Sequence, residues 1–166
     1  MSKNREQKRK MQLETRAKNE SFCFQVEFLC EKKDFNITEW KQELRAELND
    51  ICQNGITDAL SNLALIIEGV QKELGYVQEV AKCSLNGTLV PFILGITPIQ
   101  PDKATYVQGI FAEETPLQVK IAYDNEIRNR VVDWVKERYD NVTTRLSQPI
   151  LKLPNMVVEF KRVVKD

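Results

Sequence analysis

Histidine is absent from this 166-residue chain, which removes every mechanism built on imidazole: Ser-His-Asp and Cys-His nucleophiles, and zinc sites with a histidine ligand. Cysteine is sparse. Cys23, Cys30, Cys52 and Cys83 form neither a C-x-x-C pair nor a ribbon of metal ligands, so they read as core or half-buried thiols and no metal is expected. No run of about 18 apolar residues occurs, and the N-terminus is polar and basic with no apolar stretch behind it, so neither a membrane span nor a secretory signal is expected. A cytoplasmic, reducing setting without a membrane partner is the expectation that follows. An excess of one charge sign is also missing, since 24 Lys and Arg balance 24 Asp and Glu.

What is present is enough apolar residue, 42%, for one ordinary domain that buries roughly two-thirds of its unfolded surface without a staple. The neutral total hides a dipolar chain. Residues 1 to 20 hold seven basic and three acidic side chains, a net +4, which leaves −4 on the remainder. The expected organisation is therefore a basic N-terminal arm over 1–20 and a single domain over 21–166. Lys8, Arg9 and Lys10 are the arm's candidate nucleic-acid contacts, because clustered cations bind phosphates with release of counterions. A solvated terminal helix is the plain alternative.

Alternation of Phe22, Phe24, Val26, Phe28 and Cys30 predicts a strand over 22–30. Thr38 is placed to cap a helix running to about Gln53, with Trp40, Leu44, Leu48 and Ile51 on its apolar face and Asn54-Gly55 as the stop. A second helix begins at Thr57 or Asp58 and ends at Gly75, its apolar face broad enough to pack on more than one side. Leu85 to Leu94 reads as a short helix that starts late or kinks at Pro91. The stretch 98–116 reads as a loop with a short strand near Tyr106 to Phe111. Leu117 to Tyr123 alternates as a strand, Asn125 to Tyr139 follows as a helix, and Met156 to Val164 is a further strand. In the 125–139 helix, Ile127, Val131, Trp134 and Val135 face the core and Arg128, Arg130, Lys136 and Arg138 face solvent, with Trp40 and Trp134 as core anchors. The fold class expected is α+β, a mixed or antiparallel sheet covered by helices.

At Ala81 to Thr97 the chain reads A-K-C-S-L-N-G-T-L-V-P-F-I-L-G-I-T. This resembles the glycine-serine segment of the bacterial replicative DNA polymerase III alpha-subunit family, close to G-R-G-S-A-A-G-S-L-V-A-Y-L-L-G-I-T. Ser84, Gly87, Leu89, Val90, Leu94, Gly95, Ile96 and Thr97 are identical. Upstream, Arg45, Glu47, Leu48, Gly55 and Asp58 keep register with that family, and downstream D-N-E-I-R-N-R-V-V-D-W-V resembles the helix after its catalytic strand. The likeness covers about residues 38 to 142 and implies the first half of a polymerase palm.

In that family the Gly-Ser turn and the helix behind it hold the incoming triphosphate on free backbone N–H groups. The resemblance therefore implies Lys82, Ser84, Gly87 and Thr88 as candidate nucleotide-phosphate contacts, although Ala81 and Cys83 replace small residues and their Cβ atoms narrow the turn. The family's catalytic strand, P-D-I-D-I-D-F, carries the carboxylates that bind two magnesium ions. Here the matching strand, P-L-Q-V-K-I-A-Y, has no acid, and Lys120 sets a positive charge where a cation would sit. Asp124 and Glu126 lie just past it, as a cap and a first-turn acid. No catalytic residue, metal ligand or cofactor is then expected. The function implied is an inactive, palm-like, replication-associated binding module of the kind a phage or mobile element carries, with a replisome protein, DNA or a second copy as partner. The alternative is a nucleotide- or nucleic-acid-binding regulator using the Gly-Ser-like turn and the arm.

Overall fold

The chain begins with a long stretch of Lys, Arg, Glu, Gln, Met, Leu and Ala, all good helix formers, and helix α1 (Ser2–Lys32) fills it in the computed structural model, which describes residues 2–113 and 115–164. The strand expected over 22–30 is therefore helix. Propagation from a helical flank costs far less than a new nucleus, and the segment also carries a helical pattern: Phe22, Val26 and Cys30, four residues apart, are the buried ones. Phe24 and Phe28, which the alternation placed in the core, are left 73% and 50% exposed.

Helix α2 (Lys41–Gln53) follows a turn in which the Asn36 side chain, not Thr38, accepts the Glu39 N–H at 3.1 Å. Helix α3 (Thr57–Leu74) stops at Gly75, whose φ of 74° lies in the left-handed region that glycine enters without strain. Leu60, Leu63, Ile66 and Val70 of α3 are wholly buried. A single 3₁₀ turn (Val80–Lys82) precedes helix α4 (Val90–Leu94), which is shorter than the expected 85–94 because Pro91 sits in its first turn, where a missing N–H costs nothing. The short strand expected near 106–111 does not form: residues 106–108 have no regular structure, Gly109 takes a left-handed φ of 83° that breaks an extended backbone, and helix α5 (Ile110–Glu113) begins just after it.

The sheet is built from the last third of the chain: β1 (Leu117–Asp124), then helix α6 (Arg128–Lys136), then β2 (Val142–Arg145), β3 (Gln148–Leu153) and β4 (Met156–Val163). Its order is β1-β4-β3-β2. β1 runs parallel to β4, from Leu117 opposite Met156 to Asp124 opposite Val163, while β3 is antiparallel to both β4 and β2. This is the mixed, helix-covered α+β architecture expected. Leu117, Val119, Ile121 and Tyr123 of β1 enter the core with Met156, Val158 and Phe160 of β4. The outer side of β1 is occupied by the chain around the 3₁₀ turn: Glu79 N–H donates to the Ala122 carbonyl at 2.7 Å and Ser84 N–H to the Lys120 carbonyl at 3.0 Å.

Of the basic face expected on α6, Arg130, Lys136 and Arg138 are exposed as expected and Arg128 is not. Arg128, expected in solvent, is 3% exposed and donates to the Phe160 carbonyl at 2.7 Å and to Gln148 at 3.1 Å, because the helix starts at Arg128 and sets it over β4 and β3. Arg130 donates to the Tyr76 hydroxyl at 2.9 Å. Arg138 pairs with Glu73 at 2.8 Å and lies 3.8 Å from the ring of Trp134. The α3–α6 contact depends on Gly69, where a Cβ would fall 2.6 Å from the Trp134 ring. Trp40 is a core anchor at 2% exposure, whereas Trp134 is half-buried against α3.

Candidate functional site

The segment that resembles a phosphate-holding turn is organised by an acid that the sequence reading did not single out as a site. Glu47 lies on the apolar side of α2, between Leu44 and Ile51, and is 4% exposed. Its Oε1 accepts the N–H of Val90 at 2.7 Å and of Leu89 at 3.0 Å, and its Oε2 accepts the Tyr106 hydroxyl at 3.2 Å. The N-terminal amides of α4 are thus filled by a carboxylate of the same chain, which meets both the need of a helix start for acceptors and its preference for negative charge. Burial pushes the Glu47 carboxyl up to about 7, while the Val90 and Leu89 amides and Tyr106 pull it back down. A signal for this existed in the sequence: an acid three residues after one core leucine and four before a core isoleucine must be partnered if the helix is real.

Tyr106 is held in place from the other side. Its ring lies 5.5 Å from that of Trp40, and Lys103 sits 4.0 Å over the Trp40 ring while donating to the Glu39 carbonyl at 2.9 Å and to the Glu43 carboxylate. The 98–109 loop is thereby fastened along α2. Val107 N–H then donates to the Gly87 carbonyl at 2.9 Å.

The four residues named for phosphate contact all lie on the connection between the 3₁₀ turn and α4, but their groups are committed differently. Lys82 is exposed at the end of the turn. Ser84 is stitched to β1, its Oγ accepting the Lys120 N–H at 2.8 Å while its own N–H donates to the Lys120 carbonyl. Gly87 has φ 88°, and a Cβ there would meet Val107 at 2.8 Å and the Thr105 carbonyl at 3.1 Å, so only glycine fits. Thr88 is buried, its hydroxyl donating to the Leu85 carbonyl at 2.6 Å. Lys82 is the one of the four whose polar end is presented to solvent free of these internal bonds.

On β1, Lys120 faces outward and Gln118 is half-exposed, its Oε1 accepting from Arg145 at 2.9 Å. Asp124 accepts the Glu126 N–H at 3.1 Å in the turn before α6, so its carboxylate acts as a turn cap. Among the described residues no three His, Cys, Asp or Glu side chains gather into a group fit to hold a metal ion. In the arm, Lys8, Arg9 and Lys10 are exposed on α1, where successive side chains project about 100° apart, so the three do not share one face.

A groove of about 670 Å³ runs between α1 and α2, lined by Cys23, Glu27 and Glu31 on one side and Lys41, Arg45 and Cys52 on the other. The Cys52 thiol meets that of Cys23 there, and burial followed by this neighbour pushes it up to about 11. At neutral pH the Cys52 thiol therefore stays protonated and weakly nucleophilic. Cys30 and Cys83 are buried. No helix among the described residues is long and apolar enough to cross a membrane.

No protein-family model matches this chain, and no curated protein matches it either.

Proposed function

We propose that this protein is a palm-like module without nucleotidyl-transfer activity that works by binding, with a replication protein or DNA as its partner class. The observation that carries the reading is strand β1, which stands where the resembled family has its catalytic strand but offers no acid from Leu117 to Tyr123 and sets Lys120 outward, opposing a divalent cation. The start of α4 supports the same reading, since the amides of Leu89 and Val90 are held by the Glu47 carboxylate and an entering anion would have to displace it. What such a framework retains is shape and surface, and the arm supplies the basic part of it.

The test combines two measurements on the full chain. Primer extension with all four deoxynucleotides and magnesium should yield no product, and a melting scan with deoxynucleotide and magnesium should show no rise in Tm, since a ligand stabilises only the state it binds. Fluorescence anisotropy with a short DNA duplex should show affinity that falls steeply with salt and is lost on combining Lys8→Glu, Arg9→Glu and Lys10→Glu. Extension product would overturn the inactive reading. A nucleotide-dependent rise in Tm that is lost in Lys82→Ala would transfer the function to the Gly-Ser-like turn.

A further inference from the structure

Helix α1 carries a second apolar face that its own chain does not cover. Leu13, Phe24 and Phe28 are 66%, 73% and 50% exposed, and Ala17 between them is exposed as well. At about 100° per residue, Leu13, Ala17, Phe24 and Phe28 fall within a sector of about 60°, nearly opposite the buried Phe22, Val26 and Cys30. Every residue from 2 to 18 is exposed. A helical segment of that length without tertiary support is marginal in water, and two phenylalanines one turn apart on its continuation are an uncommon surface.

We propose that two copies of this chain pair through antiparallel α1 helices, each covering the other's Leu13-Ala17-Phe24-Phe28 stripe. Three features select a second copy over another occupant. The stripe is self-complementary: about a midpoint between Glu20 and Ser21, an antiparallel partner sets Leu13 against Phe28 and Ala17 against Phe24, so large side chains meet small or branched ones and the two-fold axis closes the contact. Charge is complementary in the same register. Residues 10 to 21 hold three cations and two acids, the residues 20 to 31 that they face hold three acids and no cation, and Lys10 falls opposite Glu31. Finally, the domain lies on the far side of α1, where Lys18 pairs with Asp58 at 3.0 Å and Lys33 reaches the Phe92 carbonyl at 2.6 Å, so the stripe is open along its length. Pairing in this sense lays the unsupported half of each helix along the supported half of its partner.

The experiment is sedimentation equilibrium of the full chain across a wide concentration series. A monomer–dimer equilibrium is expected, weakened at least ~10-fold by Phe24→Glu and, separately, by Leu13→Glu, both of which replace exposed side chains and leave the dilute-solution Tm unchanged. Lys10→Glu should weaken the dimer several-fold, and the charge swap K10E/E31K should recover it. A chain that stays monomeric throughout overturns the proposal. So does a dimer indifferent to both glutamate substitutions, a swap no better than Lys10→Glu alone, or a monomer whose DNA affinity is what Phe24→Glu removes.

Discussion

The inner half of α1, from Asn19 to Lys32, and the outer half, from Ser2 to Lys18, form one unbroken helix with the same backbone bonding but unequal support. The inner half sinks Phe22, Val26 and Cys30 into the core and is tied to α3 and α4 by Lys18 at its edge and Lys33 beyond its end. The outer half buries nothing and is held by propensity and by pairs such as Arg16 with Glu20 at 3.1 Å, worth a few tenths of a kcal/mol. Continuity of secondary structure is therefore no measure of local stability. Tertiary burial is, and it changes within one turn of this helix.

The contrast is broken most severely from the inside. Phe22→Ala should cost about 3 to 4 kcal/mol in denaturant unfolding, because it opens a cavity where α1 meets the body. A loss under 1 kcal/mol would mean that the inner half is no better supported than the outer.

Next in size, Glu47→Ala should cost about 2 to 3 kcal/mol by stripping the buried Leu89 and Val90 amides of their acceptor. Glu47 also gives the body a pH signature that the arm lacks. Its carboxyl titrates near 7 when folded against an ordinary value of 4.5, so between these values the folded chain holds a proton that the unfolded chain has lost. Its contribution is complete below about 4.5 and fades as the pH rises through 7. The difference in unfolding free energy between wild type and Glu47→Gln, measured from pH 4.5 to 8, should shrink with rising pH; a difference that grows would reverse the assignment.

Gly69→Ala should follow, at roughly 1 to 2 kcal/mol, by forcing α6 and Trp134 away from α3. The change should appear in Trp fluorescence as well as in Tm. Smallest of all, Leu13→Ala in the outer half should move dilute-solution stability by less than about 0.5 kcal/mol. Amide exchange should draw the same boundary, fast before Lys18 and slow from Phe22 to Cys30 at concentrations where the chain is monomeric.

The parts of the fold that could be read in advance were those where one periodicity stood alone. β1 alternates without a competing helical pattern, and α3 ends on a glycine that takes the left-handed conformation at φ 74°. Residues 22–30 carried both periods at once, and the deciding factor was the helical flank before them, which lies outside any short window. The β2–β3 hairpin was hidden for another reason. Its two-residue turn is Leu146-Ser147, with φ of 49° and 67°, where Asn and Gly ordinarily give the signal, and Pro149 lies inside β3. The next turn does carry its mark, since Asn155 takes φ 58° after Pro154. In the candidate site the turn residues were legible by type, but their use was not: whether a serine hydroxyl faces a ligand or a neighbouring strand depends on where that strand lies. Arg128 was misplaced because an amphipathic wheel assigns arginine to water, whereas three carbonyl-type acceptors near the helix start gave it a place inside.

The stitch between Ser84 and Lys120 also bears on how this sheet behaves in a crowded, concentrated solution. β1 is an outer strand, and an outer strand with free amides and carbonyls is a template for strand recruitment and fibre growth. Here the Lys120 and Ala122 carbonyls and the Lys120 amide are already engaged by residues 79–84, and the opposite margin, β2, is four residues long with Thr143, Thr144 and Arg145 exposed. Both margins are blunted. Edge-to-edge recruitment is thereby disfavoured at both margins, and Ser84, in the segment that resembles a phosphate-holding turn, contributes by covering part of the free edge of β1.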